Sequence, residues 1–168
     1  ELKEDKLVTF YAKATAWLEN YKTYLIAGAA AVMVLALGIF FYFQSSQSAE
    51  KSASVELAKA TRAYESGNLQ SAIPMLSNLV KSHGRTTSGK IARFYLANAF
   101  FQSKDYDNAK INYQKFIDSF GGDRHFKAAA HGGLAASLEE KKQYAEAAAS
   151  YSKAAEKYAD TVHAPLFL

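Results

Sequence analysis

The chain has 168 residues, of which 49% are hydrophobic and 21% charged, with only two prolines and nine glycines. Such a composition suits one folded domain with length to spare and excludes a disordered, collagen-like or loop-dominated protein. The absence of cysteine removes thiol catalysis, Cys-ligated zinc, iron–sulfur clusters, disulfides and a lipobox anchor, and a net charge of +4 would serve a nucleic acid only if gathered on one face.

Residues 1–22 carry an apolar stripe at helical spacing: Leu7, Tyr11, Ala14, Leu18 and Tyr21, with Phe10 and Trp17 beside it. Lys6, Lys13, Glu19 and Asn20 fall off the stripe. This reads as an amphipathic juxtamembrane helix lying in the interface or on a partner's surface, or else as a plain N-terminal extension of a membrane helix.

From Tyr24 to Phe43 run twenty uncharged, mostly apolar residues, and no charge occurs between Lys22 and Glu50. At about 1.5 Å per residue that length crosses a bilayer core of roughly 30 Å. Trp17 and Tyr21 before the segment, Tyr24 at its start and Tyr42 near its end are interface anchors, since amphipathic rings favour the headgroup level. A buried core helix and a cleavable signal peptide are the alternatives. A secretory apolar core runs only ~7–15 residues and comes after a short leader, so residues 23–44 are expected to be an uncleaved transmembrane helix. Lys3, Lys6, Lys13 and Lys22 precede it, and Lys51, Lys59 and Arg62 come within twenty residues after it. The positive-inside rule then puts the N-terminus in the cytoplasm and the bulk of the chain outside, in a bacterial periplasm.

Residues 45–54 are small and polar, a linker unless the helix continues. Beyond them the chain repeats. Segments 67–84, 104–121 and 142–159 align on Leu69, Tyr106 and Tyr144, then on Ala72, Ala109 and Ala147 at intervals of 37 and 38, then on Leu76, Tyr113 and Tyr151. Leu79, Phe116 and Ala154 lie three residues later. Each segment is preceded by a helical stretch centred on Ala60, Ala97 or Ala135. Each unit is therefore a helix pair whose second helix begins at the Leu or Tyr, with small residues where helices approach and larger ones in the seams. The units occupy about 55–84, 88–121 and 125–159 within a region 55–160. Residues 161–168 mirror the opening of the third unit at an offset of 38 and are expected to start a further helix of a longer protein.

Nothing in the sequence forms a recognisable reaction centre, so an enzyme is not expected. His83, His125, His131 and His163 lie near junctions between units, and His125 and His131 are six apart, on different helix faces, so no metal site is expected. Gly121-Gly122 and Gly132-Gly133 lack phosphate-loop spacing, and Glu139-Glu140 before Lys141-Lys142 reads as a solvated turn. Basic residues interleave with acidic ones, which argues against nucleic acid. No cofactor and no small-molecule substrate are expected.

The succession Ala97, Phe100, Tyr106, Ala109 and Tyr113 resembles the tetratricopeptide repeat, although intervals of 37 and 38 exceed that family's 34 and imply lengthened turns. The resemblance implies a tetratricopeptide-type α-solenoid of about three helix pairs, and with the N-terminal amphipathic and transmembrane helix read above the fold is expected to be all-α. It also implies a peptide-binding groove on the first helices. Transferred position by position, that groove takes Leu57, Thr61 and Tyr64, then Phe94, Asn98, Phe101 and Gln102, then Gly132, Ala136 and Glu139. Of the lysine and asparagine set that grips a terminal carboxylate only Asn98 is present, so a charged tail is not expected there. Phe94 and Phe101 read equally as peptide anchors or as inter-repeat core.

One span ahead of such repeats, together with the string WLENYKTYLIAG at 17–28, resembles the YfgM-like family of ancillary Sec translocon subunits. That likeness implies a membrane-anchored interaction module in protein export or envelope protein assembly, with translocon subunits, periplasmic chaperones or clients as partners and the lipid bilayer around the anchor. The alternative is a structural accessory subunit of a large respiratory or photosynthetic membrane complex. Its span would pack through Ala27, Gly28 and Ala31, small residues at helical spacing.

Overall fold

The computed structural model describes residues 6–158. Among them every element is an α-helix: α1 (Lys6–Glu65), α2 (Leu69–His83), α3 (Thr87–Gln102), α4 (Tyr106–Ser119), α5 (Arg124–Glu140) and α6 (Tyr144–Lys157). The chain divides into two compact units, one ending at Ser45 and one starting at Ser46.

The first unit is the N-terminal part of α1. Among the described residues α1 is the one helix long and apolar enough to cross a membrane, and none of its most apolar stretch is buried. Val32, Leu35 and Phe41 are each 66% exposed, far too open for a soluble core helix. Trp17, Tyr21, Tyr24 and Tyr42 are exposed, as are Ala27, Gly28 and Ala31. The side chains of Leu7 and Leu18 in the N-terminal stripe, and all of 161–168, lie outside the described residues. No break separates residue 22 from 23, and residues 45–54 are helical rather than a linker. The reason is local: Ser, Gln, Ala, Glu and Lys with no Gly or Pro give a helix nothing to end on.

In the second unit the helices pair as the repeat pattern requires. The part of α1 after Ser46 pairs with α2, α3 with α4, and α5 with α6. Each turn inside a pair places one residue in the left-handed region: Gly67 (φ 77°), Lys104 (φ 64°) and Lys142 (φ 61°). Each turn closes on the same two backbone bonds, for example Lys104 N–H to Phe101 C=O at 3.0 Å and Asp105 N–H to Phe100 C=O at 2.9 Å. These bonds satisfy the last carbonyls of the first helix. The next residue caps the second helix: Asn68 accepts from Ser71 N–H and Asp105 from Asn108 N–H, both at 3.1 Å. Gln143 holds the equivalent place in the third pair and makes no such bond.

The aligned small residues are core. Ala60, Ala97 and Ala135 are at most 1% exposed, and Ala72, Ala109 and Ala147 at most 2%, so the paired helices meet without a spacer. One cluster joins α1, α2 and α3 around Leu76 and Leu79. A second joins α3 to α6 around Tyr113, Phe116 and Leu134, with Phe116 stacked on Phe120 at 4.6 Å between ring centres.

A carboxylate ties α1 to α3. Glu50 Oε2 accepts from Thr87 N–H at 2.7 Å, and its Oε1 accepts from Ser88 N–H at 3.0 Å and from the Ser88 hydroxyl at 2.6 Å. It thereby satisfies donors left open at a helix N-terminus, where negative charge is favoured. Burial works to raise the Glu50 carboxyl, but the bonds from Ser88 and Thr87 outweigh it and hold the group below the usual carboxylate range. Its contribution is therefore present at neutral pH and fades as pH falls through that lowered value. Glu50→Ala is expected to cost about 2 kcal/mol and Glu50→Gln roughly half as much, read by thermal melts of the full chain in detergent monitored by helical circular dichroism.

Candidate binding cleft

Helices α4 and α6 both pack against α5, and the space between them is a cleft of 540 Å³. Leu134 and Leu138 of α5 form its floor, and His131 of the same helix lies one turn before Leu134. From α4 come Lys110, Ile111, Gln114 and Lys115, an i, i+4 succession that puts apolar surface inside and amine or amide groups at the rim. From α6 come Glu146, Ala149, Ser150 and Lys153. The small side chains of Ala149 and Ser150 do not reach across to α4, which is why the space stays unfilled.

His131 sets the character of one end. It was expected at a junction between units, yet it sits in the middle of α5 and is only 4% exposed. Helical spacing accounts for this: His131, Leu134 and Leu138 share one face, so the imidazole goes in with the leucines. Its Nδ1 is buried without a hydrogen-bond partner, and its backbone carbonyl accepts from the Ser150 hydroxyl at 3.3 Å. The ring lies 5.7 Å from that of Tyr158. Burial, and after it the positive charges of Lys153, Lys157 and Lys127, push its pKa down to about 4, with Asp118 opposing. The imidazole is therefore neutral at physiological pH.

The groove transferred from the repeat resemblance lies elsewhere, and none of its residues lines this cleft. Phe94 was open to two readings. Its ring is 5.3–6.1 Å from those of Tyr95, Tyr113, Phe116 and Phe126, which places it in the inter-repeat core. Phe101 packs against the same core and lies 5.4 Å from Tyr106. Asn98 accepts a short hydrogen bond from the Tyr113 hydroxyl, whose phenol is pushed upward by burial first and by Tyr64 second. Gln102 donates to the Tyr64 hydroxyl at 2.6 Å, linking the first helices of two successive pairs. Thr61 donates to Leu57 C=O at 3.0 Å, and Glu139 accepts from Tyr151 at 3.0 Å. Leu57, Gly132 and Ala136 are half-buried. Among the described residues no group of three His, Asp or Glu side chains is placed to hold a metal ion.

A family model for the tetratricopeptide repeat-like domain matches residues 15–163. The chain belongs to that family. No curated protein matches the chain. A tetratricopeptide repeat-like domain is a protein-interaction scaffold, and the helix pairs of the second unit are its structural unit. Here Tyr64, Phe94, Asn98, Phe101 and Gln102 of the first helices make contacts within the repeat stack, while the second helices α4 and α6 leave the open cleft. Sequence reasoning missed both His131 and Glu50. A signal existed for each: His131 shares a face with two leucines, and Glu50 is the first charge after a run of 27 uncharged residues.

Proposed function

We propose that the chain is a membrane-anchored protein-interaction module acting in protein export or envelope protein assembly beside the Sec translocon. Residues 23–44 cross a bacterial inner membrane once, the N-terminus stays in the cytoplasm, and the repeats work in the periplasm. The observation that carries the reading is the extent of the family match. It runs from residue 15 to 163 and so takes in the exposed apolar helix together with the interaction repeats. Exposed aromatic rings at both ends of the apolar segment suit an anchor at the two headgroup levels. The translocon setting is supported by the likeness of residues 17–28 to YfgM-like proteins. The anchor fixes where the module works, and capture of a protein partner is the whole of its action.

A mild-detergent pull-down through a C-terminal tag tests this, with mass spectrometry before and after a salt wash. Translocon subunits and periplasmic chaperones that thin with salt are expected. One large complex in fixed ratio would replace the reading with an accessory subunit packed through the exposed Ala27, Gly28 and Ala31. For orientation, Ser66→Cys is exposed at the first turn. It is expected to react with an impermeant thiol reagent once the outer membrane is opened, and protection until the inner membrane breaks would reverse the topology.

A further inference from the structure

We propose that the cleft between α4 and α6 is a binding site for an acidic peptide segment, seating an aliphatic side chain on Leu134 and Leu138 and a carboxylate at the end marked by His131, Lys115 and Lys153. The inference deepens the interaction reading and rests on it.

Two independent observations point to a ligand. The cleft volume of 540 Å³ falls within the ~300–1,000 Å³ typical of ligand sites, and its floor is leucine rather than solvated polar surface. His131 is more than nine-tenths buried in its wall, with one ring nitrogen lacking any partner. A bare lone pair is cheaper to bury than a bare N–H, so the neutral ring carries its proton on Nε2. That leaves a donor on the ring edge opposite the buried nitrogen.

Charge selects the ligand. Three lysines and one glutamate line the cleft. Lys110 donates to Gln143 at 3.4 Å, and Gln143 in turn donates to Glu146 at 3.3 Å, so these three are engaged with one another near the α5–α6 turn. The chain reverses at residues 141–143, which puts Leu138 and Glu146 at one end and His131, Ser150 and Lys153 at the other. Lys115 lies one turn beyond Ile111 on α4 towards that second end. A carboxylate there meets the amines of Lys115 and Lys153 beside the His131 ring, with Asp118 of α4 as an opposing charge. A peptide suits the cleft better than a fatty acid, because Gln114 and Ser150, which already donate to Asp118 and to the His131 carbonyl, keep oxygens that accept from a backbone N–H, which an acyl chain lacks.

The full chain in phosphatidylcholine nanodiscs, with histidine labelled at Cε1, is titrated with fluorescein-tagged Leu-Asp-Leu-Asp-Leu amide and with its Asn-for-Asp counterpart. Saturable binding is expected, at least tenfold weaker for the Asn peptide and at least tenfold weaker in the Lys115→Glu/Lys153→Glu double variant. Both lysines are exposed, so an unchanged melting curve is expected to accompany that loss. The His131 midpoint should climb from about 4 towards the ordinary histidine value when the peptide is bound, against the standing influence of Lys127, Lys153, Lys157 and Asp118. Equal binding of the two peptides, an unaffected double variant, or an unmoved His131 resonance would each overturn the proposal. Dodecanoate taking the site in place of the peptide would assign it to lipid and overturn it too. Partners retained in the pull-down alongside a failed peptide titration would remove the cleft assignment and leave the interaction reading standing.

Discussion

Gly89→Ala is expected to lower the stability of the repeat unit by roughly 2–3 kcal/mol and its melting temperature by about 10 °C or more. Gly89 is buried in the first turn of α3, where an added Cβ would overlap the backbone carbonyl of His83 at the end of α2. That carbonyl has little freedom to yield. It accepts from Thr86 N–H at 2.9 Å and from the Thr86 hydroxyl at 2.7 Å, and Thr86 in turn caps α3 by accepting from Gly89 N–H at 2.9 Å. The methyl group must therefore move a helix end and its cap together. Gly121→Ala is the control: nothing lies within 4 Å of the added atom, and the melt should shift by less than about 2 °C. Equal melting of the two variants would mean that the α2–α3 junction gives way more easily than this packing implies.

Acidification is the second large effect. His131 has a folded pKa of about 4 against an ordinary 6.5, so between these values the unfolded chain binds a proton that the folded chain refuses. Stability is then full above pH 6.5 and falls as pH drops towards 4. The slope for one group reaches at most roughly 1.4 kcal/mol per pH unit, so across that interval the total loss is about 3 kcal/mol. His131→Leu should remove that part of the pH dependence. It should also raise stability at pH 7 by about 1 kcal/mol, because a buried nitrogen without a partner is replaced by hydrocarbon. Denaturation at pH 7, 6, 5 and 4.5 on both proteins reads the difference directly. Parallel curves would show that the imidazole is better solvated than its burial indicates. Glu50 acts lower, within and below the carboxylate range, so its variants change the acid limb without touching the step between 6.5 and 5.

The helix pairs were legible because their signals are local. Leu69, Tyr106 and Tyr144 each begin a second helix as the alignment requires, and Ala97 and Ala109 are buried because only a small side chain fits where two helices touch. The groove was less legible. Phe94 belongs to the aromatic core of α3, α4 and α5, and a helix position shared by core and groove in different repeats cannot be told apart from one stripe alone. The cleft was not legible at all. Its residues come from three helices, each ordinary in its own sequence, and the space depends on Ala149 and Ser150 being too short to reach Ile111 and Gln114. Only the packing brings that shortfall together with a buried imidazole.

Each helix from α2 to α6 packs chiefly on its neighbours in sequence, with α3 against α5 as the longest reach. Order in such a stack is held link by link, so the unit need not open all at once. Among the second helices α6 is the one without a side-chain cap, where Asn68 and Asp105 cap α2 and α4, and Ala128, Ala154 and Tyr158 form a small cluster at its other end. Amide exchange should accordingly run faster in the first turn of α6 than in the first turns of α2 and α4. Because α6 is one wall of the cleft, a bound segment there would be felt as a delay in that fraying, and occupancy would be written into the exchange rates of the helix whose first turn has no side-chain cap.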